Sequence, residues 1–249
     1  MKNSLNKSQI ERFSRQLVLK NIGPKGQKKI ISSKILIVGI GGLGCPAAES
    51  LTRAGIGTIG LVDNDIINLS NIHRQSLFNS KDVKKLKVSV AAKKLKEINP
   101  LTKIVTYKSR LNEKNIENII KNYELIIDGS DNFKTKFLIN DYCMKLKKKL
   151  ITGAISKFDG HIFTFDFKDK RTASLKNFYQ EKEISDDILN CELEGVLGTT
   201  ASIVGSAQAN EALKMILEIG QNLKNQILII DLLNLNFRKV KFNKQKLCL

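Results

Sequence analysis

A short apolar run that ends in glycines constrains the fold of this chain more than any other feature. Residues 34–39 read Lys-Ile-Leu-Ile-Val-Gly, which predicts a buried β-strand, and Gly41 and Gly44 follow just before a helical pattern. Glycine lets the backbone turn tightly and come close to a phosphate group. Asp63 ends the next apolar stretch, nineteen residues beyond Gly44. In dinucleotide-binding folds, the acid that binds the ribose lies at about this distance from the glycine turn. The pattern predicts a site for the ADP-like half of a nucleotide.

The composition and the cysteine pattern narrow the class of protein. A chain of 249 residues that is 42% hydrophobic can bury a core, either as one large α/β domain or as two small ones. No apolar run approaches the roughly 18 residues that span a bilayer, and the N-terminal residues lack the apolar core of an export signal. The four cysteines stand at positions 45, 143, 191 and 248 without a CxxC pair, which favours a reducing compartment. We therefore expect a cytoplasmic protein without membrane association.

The formal net charge of +18 raises the question of nucleic-acid binding. The lysines are scattered along the whole chain, and the absence of tryptophan and the few other aromatic residues give little support to base stacking. We therefore expect no nucleic-acid partner. A basic surface can equally steer the approach of an acidic protein.

Strand-like and helix-like segments alternate through the first 150 residues, which is typical of a parallel sheet covered on both faces. The predicted strands are 34–39, 57–63, 103–108, 124–128 and 149–153, and the predicted helices are 44–54, 83–98, 113–121 and 133–147. Later segments change the pattern to strands that follow one another without helices between them. They are a strand at 160–167, a polar stretch at 168–190, a helix at 197–219 and strands at 226–231 and 236–242.

These segments predict an α/β fold in which a Rossmann-like, doubly wound parallel sheet is extended by antiparallel strands. The chain has no internal repeat and no low-complexity linker, so we expect a single domain over residues 1–249. Residues 1–30 form a partly helical N-terminal arm in this prediction. The polar stretch is long for a compact domain, and such a segment is usually functional or disordered.

Polar residues after three strands indicate the chemistry of the ligand. Asp63 is followed by a dense polar segment that contains Arg74, Lys87 comes on the next predicted helix, and Asp131 follows the fourth strand. The carboxyl ends of parallel strands converge on one ligand crevice. Two cations and a spare carboxylate fit a triphosphate with Mg²⁺ better than they fit a hydride transfer.

Taken together, these motifs resemble the bacterial ubiquitin-activating-like adenylyltransferases of the MoeB, ThiF and HesA type, which activate sulfur carriers of molybdopterin and thiamine synthesis. The resemblance covers nearly the whole chain. It rests on segments 12–16, 39–44, 63–65, 69–75, Lys87, 128–132, 191–196 and 205–212. It implies the adenylation fold of the ubiquitin-activating enzymes.

The reaction that the resemblance implies joins the C-terminal Gly-Gly carboxylate of a ubiquitin-like sulfur carrier to the α-phosphorus of ATP, with release of pyrophosphate. The implied cofactors are ATP and Mg²⁺, and the implied assembly is a homodimer. Arg74, Lys87 and Asp131 are the implied catalytic residues, Asp131 also as the metal ligand, and Arg15 would reach the triphosphate of the neighbouring subunit. The implied nucleotide-binding set is Gly39, Gly41, Gly42, Gly44, Asp63, Asp65, Ser70, Asn71, Ile72, His73, Arg74, Gln75, Lys87, Asp131 and Asn132.

Cys191 has two readings. A free cysteine is commonly a small buried apolar group, whereas in relatives a cysteine at this position attacks the adenylate or joins a persulfide relay. The chain departs from many relatives because it lacks their two CxxC pairs: residues 170–176 contain no cysteine and residues 243–248 contain one. One thiolate cannot make a four-ligand site. We therefore predict that no structural zinc ion joins the loop over 168–195 to the C-terminal segment 243–248.

The sequence leaves several functions open. We expect no rhodanese-like domain after the last predicted strand, and we therefore expect sulfur to come from a separate sulfurtransferase. A nicotinamide-dependent Rossmann oxidoreductase is the first rival, and a scaffold subunit without its own ATP site is the second. A member of the same superfamily that activates a small-molecule or tRNA carboxylate is the third. The carrier and its pathway, molybdopterin or thiamine, are also undecided.

Overall fold

The computed structural model describes residues 4–179 and 195–242 and contains one mixed sheet with helices on both faces. The strands are β1 (Lys34–Val38), β2 (Thr58–Val62), β3 (Lys103–Tyr107), β4 (Leu125–Asp128), β5 (Lys149–Ser156), β6 (Asp159–Asp166), β7 (Gln226–Asp231) and β8 (Asn236–Lys241). The α-helices are α1 (Lys7–Arg12), α2 (Ser14–Leu17), α3 (Gly23–Ser32), α4 (Gly44–Ala54), α5 (Lys87–Ile98), α6 (Ile116–Ile120), α7 (Phe133–Lys145) and α8 (Gly198–Leu217). Short 3₁₀ turns span Leu69–Asn71, Ser80–Asp82 and Leu175–Asn177.

The sheet has the order β3-β2-β1-β4-β5-β6-β7-β8. The first five strands are parallel, and β6, β7 and β8 each pair antiparallel with the strand before them. This confirms the predicted doubly wound parallel sheet with an antiparallel extension. The strand order reverses between β1 and β4, which is where open α/β sheets bind ligands.

The side chains of β1 show why this strand is apolar throughout. Ile35 and Ile37 belong to the core cluster that also contains buried residues of α4, α5 and α8. Leu36 and Val38 point to the opposite face, into the cluster that contains residues of α6 and α7. Alternate side chains of a strand lie on opposite faces of the sheet, and both faces are covered here.

Two helices begin later than the sequence pattern predicts. α5 begins at Lys87 and not at residue 83, because Lys84 has a φ of +69° and residues 84–86 pair with 66–67 instead. α6 begins at Ile116, since Asn112 accepts the Lys114 N–H in a side-chain turn at 2.9 Å. Strand β5 runs to Ser156, three residues beyond its predicted end. Among the described residues, the helices are too short or too polar to cross a bilayer.

Candidate active site

A cavity of about 570 Å³ lies at the carboxyl ends of the parallel strands, within the size range of small-molecule sites. Eleven residues of the predicted nucleotide set line it: Gly39, Gly41, Gly42, Asp63, Asp65, Asn71, Arg74, Gln75, Lys87, Asp131 and Asn132. Residues of that set that are not in the lining are Gly44, Ser70, Ile72 and His73. The structure therefore brings most of the predicted residues to one place, and their contacts with a ligand stay predictions.

The glycines after β1 have two different physical roles. Gly39 has a φ of +82°, and a Cβ there would lie 2.8 Å from the Gly129 carbonyl oxygen. A Cβ on Gly44 would lie 1.9 Å from the Gly39 oxygen. These two glycines let the turn close against the end of β4. At Gly41 the nearest atom to an added Cβ is Gln75 Nε2 at 3.8 Å, so this position faces the open cavity.

Asp63 fastens the glycine turn to the end of β2. Its Oδ2 accepts the Ile40 N–H at 2.7 Å, and its Oδ1 accepts the Asp65 N–H at 2.8 Å. Burial raises the pKa of Asp63, while the Lys87 charge and the two backbone N–H groups act to lower it. Each carboxylate oxygen can accept more than one hydrogen bond, so the side chain can also receive ligand hydroxyl groups such as those of a ribose.

Arg74 is held in place by its own segment. Its Nη1 donates to the Ser70 carbonyl at 2.9 Å and lies 2.9 Å from His73 Nε2. Ser70 and His73 thus contact Arg74 and lie outside the cavity lining, and Ile72 packs against the core. Within this segment, Ser70 and His73 therefore orient the Arg74 guanidinium group.

Gln75 offers an unsatisfied group at the cavity. The residue is 3% exposed, and its Oε1 has no hydrogen-bond partner among the described residues. A buried amide oxygen without a donor costs about 1–3 kcal/mol. A ligand with hydroxyl or amino donors would satisfy it, so this observation supports a nucleoside-like ligand.

Asp131 and Asn132 form the opposite wall. Asn132 caps α7 by accepting the Thr135 N–H at 2.9 Å, and its Nδ2 donates to Asp131 Oδ1 at 3.1 Å. Asp131 is exposed to the cavity. The described residues contain no cluster of three or more His, Cys, Asp and Glu side chains that could hold a metal ion. Mg²⁺ usually uses one or two carboxylates together with substrate phosphates and water, and this donor set fits that pattern.

Three further cationic residues, which the motifs did not indicate, line the cavity: Arg110, Lys134 and Lys136. Arg110 follows β3, and the rule that places ligands at strand ends would have found it. The lysines lie in the first turn of α7, just beyond Asn132. With Arg74 and Lys87 the lining has five cations against three carboxylates. Lys136 is paired with the buried Asp128, and the four other cations still outnumber the carboxylates, which favours an anionic ligand.

The predicted roles of Arg15 and Cys191 cannot be assigned from the residues that line this cavity. Arg15 lies exposed on α2 and does not line the cavity of its own chain; its contact across a dimer stays a prediction. Cys191 lies outside the described residues. The loop predicted over 168–195 is described through 179 and again at 195, and the C-terminal residues beyond 242 are not described, so the absence of zinc also stays a prediction.

The comparisons with known proteins agree with this geometry. The model of the ThiF family matches residues 13–249. A red-algal protein from Gracilaria tenuistipitata named "Probable molybdopterin-synthase adenylyltransferase" is 40% identical over 96% of this chain and 66% of its own length. The "Sulfur carrier protein adenylyltransferase" of Thermus thermophilus is 36% identical over 97% of this chain and 90% of its own length.

Other matches are longer or more distant. The chain spans 54% of the "Adenylyltransferase and sulfurtransferase MOCS3" of Drosophila virilis, at 38% identity over 98% of this chain. It also spans slightly less than two thirds of the algal relative. The crystal structure of E. coli MccB with ATP superposes with a TM-score of 0.81 and 20% identity, over 95% of this chain and 73% of that chain. At that identity the likeness shows a shared fold.

Proposed function

The chain belongs to the ThiF family, and we propose from this premise that it activates the C-terminal carboxylate of a ubiquitin-like sulfur-carrier protein. The names of its relatives support an adenylyltransferase enzyme. The carrier's Gly-Gly carboxylate attacks the α-phosphorus of ATP, an acyl adenylate forms, and pyrophosphate leaves. The observation that carries the proposal is the cation-rich cavity at the glycine turn.

The charges around the cavity suit a triphosphate. Arg74 lies beside Gly42 of the glycine turn, Lys87 lies beside Asp65 after β2, and Lys134 lies in the first turn of α7, after β4. Helix α4 begins at Gly44, has no acidic residue in its first turn, and directs the positive end of its dipole toward this turn. Such groups stabilise charge that spreads over phosphoryl oxygens.

The reaction needs no general base from the protein. A terminal carboxylate has an ordinary pKa of about 3.5 and is ionised at neutral pH. The site has to align two anions and neutralise their charge. His73 fits this scheme as a contact of Arg74, not as an acid or base.

Asp131 is the residue that would hold Mg²⁺. A bound Mg²⁺ would supply neutralising charge at the triphosphate. Arg15 of a second subunit would add a further cation, which makes a homodimer part of the proposal. The carrier belongs to either molybdopterin or thiamine synthesis, and a separate sulfurtransferase delivers the sulfur. The cytoplasmic location rests on the cysteine pattern.

Carrier-dependent exchange of labelled pyrophosphate into ATP tests the proposal. We expect exchange with a Gly-Gly carrier from the same cell and none with a carrier that lacks its last two glycines. Arg74→Ala should abolish exchange, whereas Arg53→Ala, which removes a surface arginine paired with Glu49, should leave it unchanged.

Other outcomes identify the rivals. Oxidation of NADPH or NADH without ATP consumption would replace the proposal with the oxidoreductase. Exchange that needs a small acid or a tRNA, and ignores every Gly-Gly protein, would move the substrate to another class within the superfamily. The absence of any ATP binding would favour the scaffold subunit.

A further inference from the structure

A buried ion pair lies beneath the turn that carries Asp131. The Asp128 carboxylate at the end of β4 is fully buried, and Lys136 is 3% exposed. Lys136 Nζ lies 3.1 Å from Asp128 Oδ2 and donates to the Gly153 carbonyl at 2.6 Å. The Thr152 hydroxyl also donates to Asp128 Oδ2. One ammonium group therefore joins the end of β4, the first turn of α7 and strand β5.

The second carboxylate oxygen shapes the turn itself. Asp128 Oδ1 accepts the Ser130 N–H at 2.9 Å and the Ser130 hydroxyl at 2.5 Å. Ser130 is the residue directly before Asp131. The carboxylate is thus shared between an anchor in the core and the backbone that leads to the cavity wall.

Helix α8 supports the same turn from another side. Gln208 Nε2 donates to the Asp128 carbonyl at 2.9 Å. Gln208 packs so closely on Gly153 that a Cβ there would lie 2.8 Å from it. Three elements, β5, α7 and α8, therefore fix the residue from which the turn departs.

Stability alone does not explain the pair. Two charges removed from water lose several kcal/mol of solvation each, and apolar replacements of buried pairs are often neutral or stabilising. Asp128 is the last residue of β4 and Lys136 is the fourth residue of α7. The ion pair therefore joins the end of β4 to the first turn of α7 across the turn of residues 129–132, and Asp131 lies in that turn.

We propose that the Asp128–Lys136 pair is a positioning device that aims Asp131 at the Mg²⁺-bound phosphates of the nucleotide. This inference rests on the proposed function for the nature of the ligand. Groups that orient a metal-binding residue without touching the metal typically change metal affinity or activity about 10- to 100-fold. Lys136 and Asp128 act through Asp131, and neither is assigned a contact with the reacting atoms.

Calorimetric titration of ATP, with and without Mg²⁺, tests the device in the full chain. We expect Lys136→Met to weaken ATP binding in the presence of Mg²⁺ by about 10- to 100-fold and to change binding without Mg²⁺ far less. Lys136→Arg should restore part of the loss, because it keeps the charge. Lys145 lies on the same helix as Lys136 and forms an exposed pair with Glu117 of α6, so Lys145→Met should change neither affinity.

Ser130→Ala is the mild variant, since it removes one hydroxyl from the Asp128 carboxylate and leaves the core charges paired. We expect a smaller loss in the same direction, with the melting temperature almost unchanged, and this variant decides the question if Lys136→Met fails to fold. Equal losses with and without Mg²⁺, or a lower melting temperature with unchanged affinities, would overturn the proposal. If the unmodified protein binds ATP but supports no carrier-dependent exchange, the proposed function fails. The ATP affinities with and without Mg²⁺ still test the positioning role of the ion pair in that case.

Discussion

The Nζ atom of Lys87 lies 3.0 Å from Asp65 Oδ2, and the two residues also share a backbone hydrogen bond from the Lys87 N–H to the Asp65 carbonyl. The lysine side chain is 9% exposed, and Lys87 is the first residue of α5. A cation at a helix N-terminus opposes the helix dipole, and burial removes its hydration. The position is therefore unfavourable for a structural lysine and suited to one that meets an anionic ligand.

Lys87→Met should reduce pyrophosphate exchange by about 10²–10³-fold, the usual effect of removing one preorganised charge-stabilising group. The melting temperature should stay unchanged or rise, because the variant removes a desolvated cation from the start of a helix. Lys93→Met, at an exposed position of the same helix, is the matched control for both measurements. A large fall in melting temperature would instead show that Lys87 supports the fold.

Substitution of Gly39 and Gly41 separates the two roles of the glycine turn. Gly39→Ala should lower the melting temperature, because a left-handed φ costs an L-residue about 1–2 kcal/mol and the new methyl meets the Gly129 oxygen. Gly41→Ala should keep the melting temperature and weaken ATP binding, since its methyl enters the cavity. Thermal unfolding and calorimetric titration of both variants measure this; the reverse pattern would reassign the two glycines.

Local sequence pattern was enough to predict the sheet and much of the cavity. The continuous apolar run of β1 indicates a buried strand, and the glycines after it indicate a tight turn. Both features are visible in the local sequence. The start of α5 could not be read in this way, because residues 84–86 pair with 66–67 and a helical pattern contains no sign of that contact. The displaced start is what brings Lys87 to Asp65.

The cations of α7 were missed for a related reason. Lys134 and Lys136 are two of 42 lysine and arginine residues, so neither stands out by composition. Lys136 becomes distinct only when the strand order puts β4 beside β5 and offers the Gly153 carbonyl to its ammonium group. The role of Lys136 therefore depends on the order of the strands, which is set by packing of the whole domain and is not visible in the local sequence.

His161 should make the stability of the domain depend on pH. Burial lowers its pKa, opposed by the Asp159 charge, and its Nδ1 lies 3.3 Å from the Tyr179 hydroxyl. The folded state thus binds fewer protons than the unfolded chain near pH 6.5, so its contribution is full above that pH and is lost as the pH falls. His161→Asn should reduce the fall in melting temperature between pH 7 and pH 5.

The chain offers a control for this experiment, because it contains two histidines. His73 is exposed, so His73→Asn serves as the matched histidine substitution in the same melting experiment. A melting curve that responds equally to both substitutions would contradict the assignment to His161.

Cys45 and Cys143 should resist alkylation in the folded protein. Cys45 and Cys143 are fully buried; burial raises the pKa of Cys45 to about 12, and burial with the nearby Asp128 charge raises that of Cys143. The thiolate, not the thiol, attacks an alkylating reagent, so at pH 8 the native protein should be labelled at neither residue until denaturant is added. The folded thiols hold their protons beyond the unfolded value of about 8.5, so stability from these groups falls as the pH rises from about 9 toward 12.

Mass mapping of the labelled native protein then assigns the accessible thiols. Label on Cys45 or Cys143 before denaturation would contradict the burial of these thiols, and Cys191→Ser should leave both unlabelled. The same variant decides the two readings of Cys191 in a full assay of carrier thiocarboxylation. Because adenylylation itself needs no thiol, loss of thiocarboxylation with normal pyrophosphate exchange would establish a covalent role, and an unchanged yield would leave Cys191 with none.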